Sequence, residues 1–409
     1  MSTPKVNIAV CGRFHYHNYV PFLAKEGILN FFYYSHRFDR KILSGGQGNE
    51  VNLWLKEYLI RIHHRLLSTH LLSFFAPFYN SLWEKQLLRH WKAAKLWHIM
   101  LHGSARDIIH KVCKEGSIVL GEAVNSHPHT LTSLLDEEHE RLILPRQNHW
   151  WKKWMLDEIE QIDFLLAPSL WVKNSYVAHG FPTEKIFILP YGVDLKRFYP
   201  LSEDIEKQSS KKFKVLCVGQ ITPRKGQIDL LEAWKRLKLK NAELILLGSI
   251  DPLMKPILSQ YKDCFTYMGF CSWDKVPYYF QQASVFVLPS IEDGFGCVIS
   301  EAMASGLPVI TTTNTGASDV VDEGINGYII PIRSPEKLAE KLEILYKNQS
   351  LREEMSKNAL EKARKLLNWE FYATSLIKKI YEPLFYMNKS KEKNINHSST
   401  QKNLKLKRC

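Results

Sequence analysis

Short apolar runs alternating with stretches of helical periodicity constrain this chain more than any other feature, because they leave room only for an α/β architecture. In the first half the runs are Asn7–Cys11, Asn30–Tyr34, Leu96–Leu101, Ser117–Leu120, Phe164–Ala167 and Ile186–Leu189. In the second half they are Lys214–Val218, Glu243–Leu247, Phe265–Met268, Val285–Leu288, Val309–Thr312 and Gly327–Ile330. Runs this apolar suit parallel strands covered by helices on both faces. A chain of 409 residues also exceeds what one core normally supports. The pattern lapses between Asp194 and Lys212, around Pro200 and the polar run Glu203–Lys212. The expectation is two Rossmann-like, doubly wound parallel-sheet domains of six strands each, facing a central cleft. In such sheets ligands collect outside the carboxyl ends of the strands.

Chemistry enters after the run Ala283–Leu288. The sequence continues Pro289-Ser-Ile-Glu-Asp-Gly-Phe-Gly-Cys-Val-Ile-Ser-Glu-Ala-Met-Ala-Ser-Gly306. A glycine turn, Gly294-Phe295-Gly296, leads from a strand into a helix that stops at Gly306. Free backbone N–H groups and the positive end of the helix dipole make such a turn an anion site. Asp293 stands before the turn and Glu301 eight positions later in the helix. Ionised carboxylates there accept hydrogen bonds from hydroxyl-rich ligands. A site for both diphosphate and hydroxyls suits a nucleotide sugar.

A second loop supplies cations. Lys214–Val218 ends at Gly219, and Gln220-Ile-Thr-Pro-Arg-Lys-Gly226 follows before a helix expected from about Gln227. Arg224 and Lys225 beside that helix start can bind a diphosphate through charge-assisted hydrogen bonds. The order differs from a Walker A loop, since Gly226 follows Lys225.

These motifs resemble the retaining glycosyltransferases of family 4, the glycogen-synthase-like group, which have the GT-B fold. The family's E-x7-E pattern is matched by Asp293-x7-Glu301, with Glu292 one position out of register. The family's hinge, Pro-x-Gly-Val-Asp, is matched by Pro190-Tyr-Gly-Val-Asp194, and Gly192 is expected to give a free turn there. Ala167-Pro-Ser169 and the helix Trp171–His179 fit the pattern upstream. Trp369–Tyr381 resembles the C-terminal helix that crosses back onto the first domain. The resemblance implies an acceptor-binding domain over 1–193 joined by a crossover helix over 369–386, a linker over 194–212, and a nucleotide-sugar domain over 213–368. It also implies roles. Gly219, Arg224, Lys225, Gly294, Phe295, Gly296 and Glu301 would bind the donor, with Glu301 on the ribose hydroxyls and Asp293 on the donor sugar. Relatives place a His after the fourth strand of the first domain, which directs attention to Leu120–His129. Glu122 and His127 are the catalytic candidates there, with Ser126 a third. Gly12 and Arg13 are expected on the acceptor side, and Glu158 is a further candidate.

The reaction implied is transfer, with retention of configuration, from a UDP- or GDP-sugar to a hydroxyl acceptor in polysaccharide or glycolipid synthesis. No Asp-x-Asp occurs in the chain. The expectation is therefore a hexosyltransferase-type enzyme without a cofactor or divalent metal, the cations of the chain neutralising the leaving diphosphate. A nucleotide-sugar-binding protein or epimerase on the same fold is the alternative.

Charge and composition frame the partners. The net charge is +13, and Met387–Cys409 carries seven Lys or Arg against Glu392, a net +6. That segment, 387–409, reads as a basic disordered tail. No nucleic-acid-binding module is recognisable, and nucleic acid is not an expected partner. Seven cysteines without a C-x-x-C pair suit a reducing, cytoplasmic setting. Between Asn52 and Trp97, Lys and Arg mix with Trp, Phe and Leu, as at an anionic membrane surface or around a lipid-linked acceptor. The same mixture also suits helices that cover the first sheet. Sugar, polysaccharide and lipid-linked acceptors all fit, and a peripheral position at the inner membrane face is compatible.

Overall fold

The computed structural model describes residues 5–12, 14–36, 42–43, 49–66, 72–201 and 212–387. The basic segment beyond Met387 and the acceptor-side candidate Arg13 lie outside them. Two wholly parallel sheets form the molecule. The first contains β1 Val6–Val10, β2 Leu29–Tyr34, β3 Asn49–Asn52, β4 Leu96–Met100, β5 Ile118–Glu122, β6 Phe164–Ala167 and β7 Ile186–Ile188, in the order β3-β2-β1-β4-β5-β6-β7. The second contains β8 Phe213–Val218, β9 Ala242–Leu247, β10 Thr266–Tyr267, β11 Val285–Leu288, β12 Val309–Thr312 and β13 Gly327–Ile330, in the order β10-β9-β8-β11-β12-β13. Every expected run holds a strand. Central strands such as β1, β4 and β11 are buried at every residue, as helices on both faces require.

The first sheet has seven strands where six were expected. The addition, β3 (Asn-Glu-Val-Asn), pairs with β2 alone, Phe31 opposite Asn49 through Tyr34 opposite Asn52. An edge strand that buries little needs no apolar run, so hydrophobic pattern could not mark it.

Strand order reverses between β1 and β4 in the first sheet and between β8 and β11 in the second. Ligands bind at such reversals. The residues placed there follow β1 (Gly12), β4 (His102), β8 (Gly219 to Lys225) and β11 (Pro289 to Gly296).

After β7 the chain passes Tyr191-Gly192-Val193-Asp194 and enters the second sheet. It returns through helix Trp369–Leu376, a π-helical turn over Ile377–Tyr381 and a last turn to Met387. The returning helix packs on helix Tyr16–Lys25, with Tyr19 and Tyr372 ring centroids 5.1 Å apart. Gly192 meets this crossing. A Cβ there would lie 2.7 Å from the backbone nitrogen of Trp369, while its φ is not left-handed. Space, not turn freedom, is what requires glycine at 192.

Candidate active site

The cationic loop is stitched to the acidic one. Gly226, at φ +64°, stands where a Cβ would fall 2.0 Å from the carbonyl oxygen of Pro289, so only glycine lets the two loops meet. The Arg224 carbonyl accepts from the backbone N–H of Ile291 at 2.9 Å. The Arg224 guanidinium donates through Nε to Glu292 Oε2 at 2.7 Å and through Nη2 to Asn125 Oδ1 at 2.7 Å. Lys225 pairs with Asp293. Burial works against ionised Asp293, but Lys225 and then Arg224 hold its carboxyl below the usual range.

Glu292, the acid out of register, is fully buried. Its Oε1 accepts from the backbone N–H of Ser126 at 2.9 Å and from Ser126 Oγ at 2.8 Å. It thus ties the first sheet's loop to Arg224.

The glycine turn closes against the same loop. A Cβ on Gly294 would lie 2.0 Å from the Val124 carbonyl oxygen, and Ser169 Oγ donates to the Gly294 carbonyl at 2.6 Å. Phe295 is buried with its ring edge-on to Tyr191, centroids 5.5 Å apart. Gly296, at φ +76°, starts helix Cys297–Ala304. Glu301 on that helix lines a cavity of about 390 Å³ with Asp194, His15, Phe270, Trp273 and Trp369 among its walls. Burial raises the Glu301 carboxyl to about 7 against the opposing pull of Arg197. Arg197 itself lies 3.3 Å above the Trp273 ring centroid.

The first-domain candidates sit elsewhere. Glu122 is buried beneath the cleft. Tyr191 OH donates to its Oε1 at 2.7 Å, and His98 Nε2 lies 2.9 Å from its Oε2. His98 Nδ1 lies 2.6 Å from Tyr381 OH, so the group joins β4, β5, the hinge and the returning helix. His127 caps helix Pro128–Arg141, its Nδ1 accepting from the His129 N–H at 3.3 Å. Its ring stacks on His179 at 4.3 Å, and burial followed by that imidazole lowers its pKa to about 3. Glu122 and His127 line neither of the cavities described here. Gly12, at φ +111°, donates its N–H to Ser35 Oγ at 2.8 Å.

His102 was missed. Counting six strands made Ser117–Leu120 the fourth, whereas β3 makes the fourth strand Leu96–Met100, and His102 follows it by two residues. His102 lines a second cavity of about 450 Å³ together with Arg224, Asn125, Lys56 and Trp154. Burial and then Lys56 lower its pKa to about 4, so it is a neutral imidazole at neutral pH. Buried Glu158 fixes the loop beneath it, accepting from the backbone N–H groups of His102, Gly103 and Ala105 at 3.1, 2.9 and 2.6 Å.

The structure therefore brings together Arg224, Lys225, Asp293 and the turn Gly294–Gly296. Glu301 lines the first cavity together with Cys297, while Arg224 lines the second. Among the described residues no group of three or more His, Cys, Asp or Glu could hold a metal ion. Nor is any described helix long and apolar enough to cross a membrane.

Comparison with known proteins agrees with this geometry. The profile of the glycosyl transferases group 1 matches residues 201–362, the segment that carries both loops. Residues 201–362 are thus a group 1 glycosyltransferase segment. Relatives of this group 1 domain include the amylovoran biosynthesis glycosyltransferase AmsK of Erwinia amylovora, 26% identical over 44% of this chain and 46% of its own length. The capsular polysaccharide biosynthesis glycosyltransferase CapM of Staphylococcus aureus is 31% identical over 47% and 55%. The chain thus spans about half the length of the curated relatives it matches. The fold extends further. Sucrose-phosphate synthase from Thermosynechococcus elongatus superposes with a TM-score of 0.71 over 94% of this chain and all of that one, at 18% identity. Anabaena HepE in complex with UDP gives 0.64 over 93% and all of its chain, at 15% identity. Two parallel sheets, the second of them within the group 1 segment, make the GT-B fold.

Proposed function

We propose that the chain is a retaining glycosyltransferase that moves a sugar from a UDP- or GDP-sugar to a hydroxyl acceptor without a divalent ion. The observation that carries this reading is the convergence of Arg224 and Lys225 on Glu292 and Asp293, beside the turn Gly294–Gly296, at the strand-order reversal of the second sheet. Breaking a sugar–phosphate bond puts negative charge on the departing diphosphate. Fixed cations and the start of helix Cys297–Ala304 can stabilise that charge. Donor binding requires Lys225 to exchange Asp293 for phosphate oxygens, which frees Asp293 for the sugar hydroxyls. Glu301 takes the ribose hydroxyls. Neutral His102, beside Arg224, faces the reacting sugar as hydrogen-bond donor or acceptor. The acceptor hydroxyl attacks from the face the diphosphate leaves. Domains divide at 194–212, with residues 369–386 returning to the first. Amylovoran and capsular polysaccharide synthesis by AmsK and CapM favour a place in polysaccharide or glycolipid synthesis, and the UDP bound by HepE favours a nucleotide-sugar donor. The test is turnover of UDP- and GDP-sugars in EDTA. Turnover that Lys225→Ala abolishes supports the reading. Intact nucleotide binding without turnover would instead mark a binding protein, and restoration of activity by a divalent ion would overturn metal independence.

A further inference from the structure

Cys11 follows β1 at the strand-order reversal of the first sheet, and an ammonium stands beside it. Lys56, on helix Leu55–Leu66, places Nζ 2.9 Å from Cys11 Sγ and 3.6 Å from Glu57 Oε1. Burial opposes the Lys56 charge, yet Cys11 and then Glu57 raise its pKa above the ordinary lysine value. A cation this near favours the thiolate, the nucleophilic form of cysteine. Other thiols keep different company. Cys113 and Cys271 donate to the carbonyls of Gln161 and Ser272 at 3.4 Å, and Cys297 lies 3.4 Å from His15 Nε2. Burial raises the Cys113, Cys217 and Cys297 thiols, which favours their protonated form.

The surroundings hold the pair in register. Gly12, next to Cys11, donates its N–H to Ser35 Oγ at 2.8 Å, and that hydroxyl donates to Glu57 Oε1 at 2.9 Å. Both partners are therefore tied through their chain neighbours. Lys56 also lines the second cavity, of about 450 Å³, so a solute little larger than water can reach its amine and the thiol behind it.

We propose that Cys11 and Lys56 are a cross-linking site, closed by hydrogen peroxide through a sulfur–nitrogen bond. The Cys11 thiolate attacks peroxide, an S–O bond forms and the O–O bond breaks. The departing hydroxide takes a proton from the Lys56 ammonium and leaves as water. The freed amine attacks the sulfenic sulfur, the S–N bond forms, and the S–O bond breaks with release of a second water. Sulfur loses two electrons and peroxide gains them. Two equivalents of a small thiol reverse the link, becoming a disulfide and returning Cys11 and Lys56. Closure removes the Lys56 charge from the wall it shares with Arg224 and His102. The site stands whether or not the chain transfers a sugar.

Full-length protein is treated with hydrogen peroxide, quenched with catalase and digested with trypsin without reductant. Segment 6–13 carries Cys11, and segment 42–61 carries Lys56, where trypsin cannot cut once the amine is blocked. The expected product joins the two segments at about 2 Da below their summed mass, and dithiothreitol separates them. Separate segments, with Cys11 unoxidised or carried to the sulfinic acid, overturn the inference. Lys56→Arg keeps a cation without a primary amine, so Cys11 should stop at the sulfenic acid and be trapped by dimedone. Lys56→Met should slow loss of the Cys11 thiol about tenfold. An unchanged rate there, or equal cross-linking of Cys11 in folded Lys56→Arg, also overturns it. Should the variants fail to fold by circular dichroism, fragmentation of the parent's joined product decides. A bond between Cys11 and Lys56 supports the site, and a bond between other residues defeats it.

Discussion

At the scale of single residues, Lys225 and Glu301 set the expected behaviour of the proposed donor site. On the proposed reading, Lys225→Ala removes one charge-assisted partner of the diphosphate, worth roughly 1.5–3 kcal/mol. UDP affinity should therefore fall about ten- to a hundredfold by titration calorimetry. Glu301 gives a pH signature. Its folded pKa is raised to about 7, so its contribution to stability is present below its unfolded value and is lost as pH rises through about 7. Ribose binding runs the other way, because the carboxylate accepts from both hydroxyls. Nucleotide affinity should rise as pH passes through about 7 and level off above about 8 in the parent, and be flat in Glu301→Gln. An equally steep profile in the variant would remove Glu301 from the ribose. Glu122 behaves differently. It pairs with His98 and Tyr191 out of contact with water, and removing one partner of such a pair costs about 3–5 kcal/mol. Glu122→Ala should show its effect first in urea unfolding.

At the scale of elements, the glycine turns govern contact between loops. A Cβ on Gly294 would collide with the Val124 carbonyl, which no rotamer change relieves. Gly294→Ala should cost about 1–3 kcal/mol as the turn backs away from loop 124–126. It should also lower kcat more than it raises KM, because the shift opens the Arg224–Asn125 and Ser126–Glu292 contacts. A change in KM alone would place the turn outside the reacting centre.

At the scale of the whole molecule, charged side chains bridge elements of the two sheets. Arg141 pairs with Glu138 on its own helix and with Asp229 of helix Gln227–Leu237 at 2.9 Å. Arg333 reaches Glu138 at 3.0 Å and Glu137 at 2.9 Å. Asp229 and Glu138 are buried, so Arg141→Ala leaves them short of a partner. A loss of about 3 kcal/mol is expected in urea unfolding. If the domains then unfold in two transitions instead of one, this cluster couples them.

Sequence by itself determined the parts that local physics fixes: the apolar strand runs, the two glycine loops, their four charged residues Arg224, Lys225, Asp293 and Glu301, and the crossing helix 369–381. Each depends on neighbours within a few positions, and periodicity or turn chemistry records such neighbours directly. Tertiary structure alone decided the rest. β3 is polar because it lies at an edge, and with it counted the fourth strand of the first sheet is Leu96–Met100, followed by His102. Glu122 is an ordinary acid in sequence and becomes a buried anchor only because His98, Tyr191 and Tyr381 arrive from three distant segments. Glu292 is one position from the motif, yet pairing with Arg224 in its own sheet and with Ser126 across the cleft makes it the fully buried acid of the site. Burial and pairing between segments tens to hundreds of residues apart depend on where the sheets meet, and no local pattern encodes that meeting.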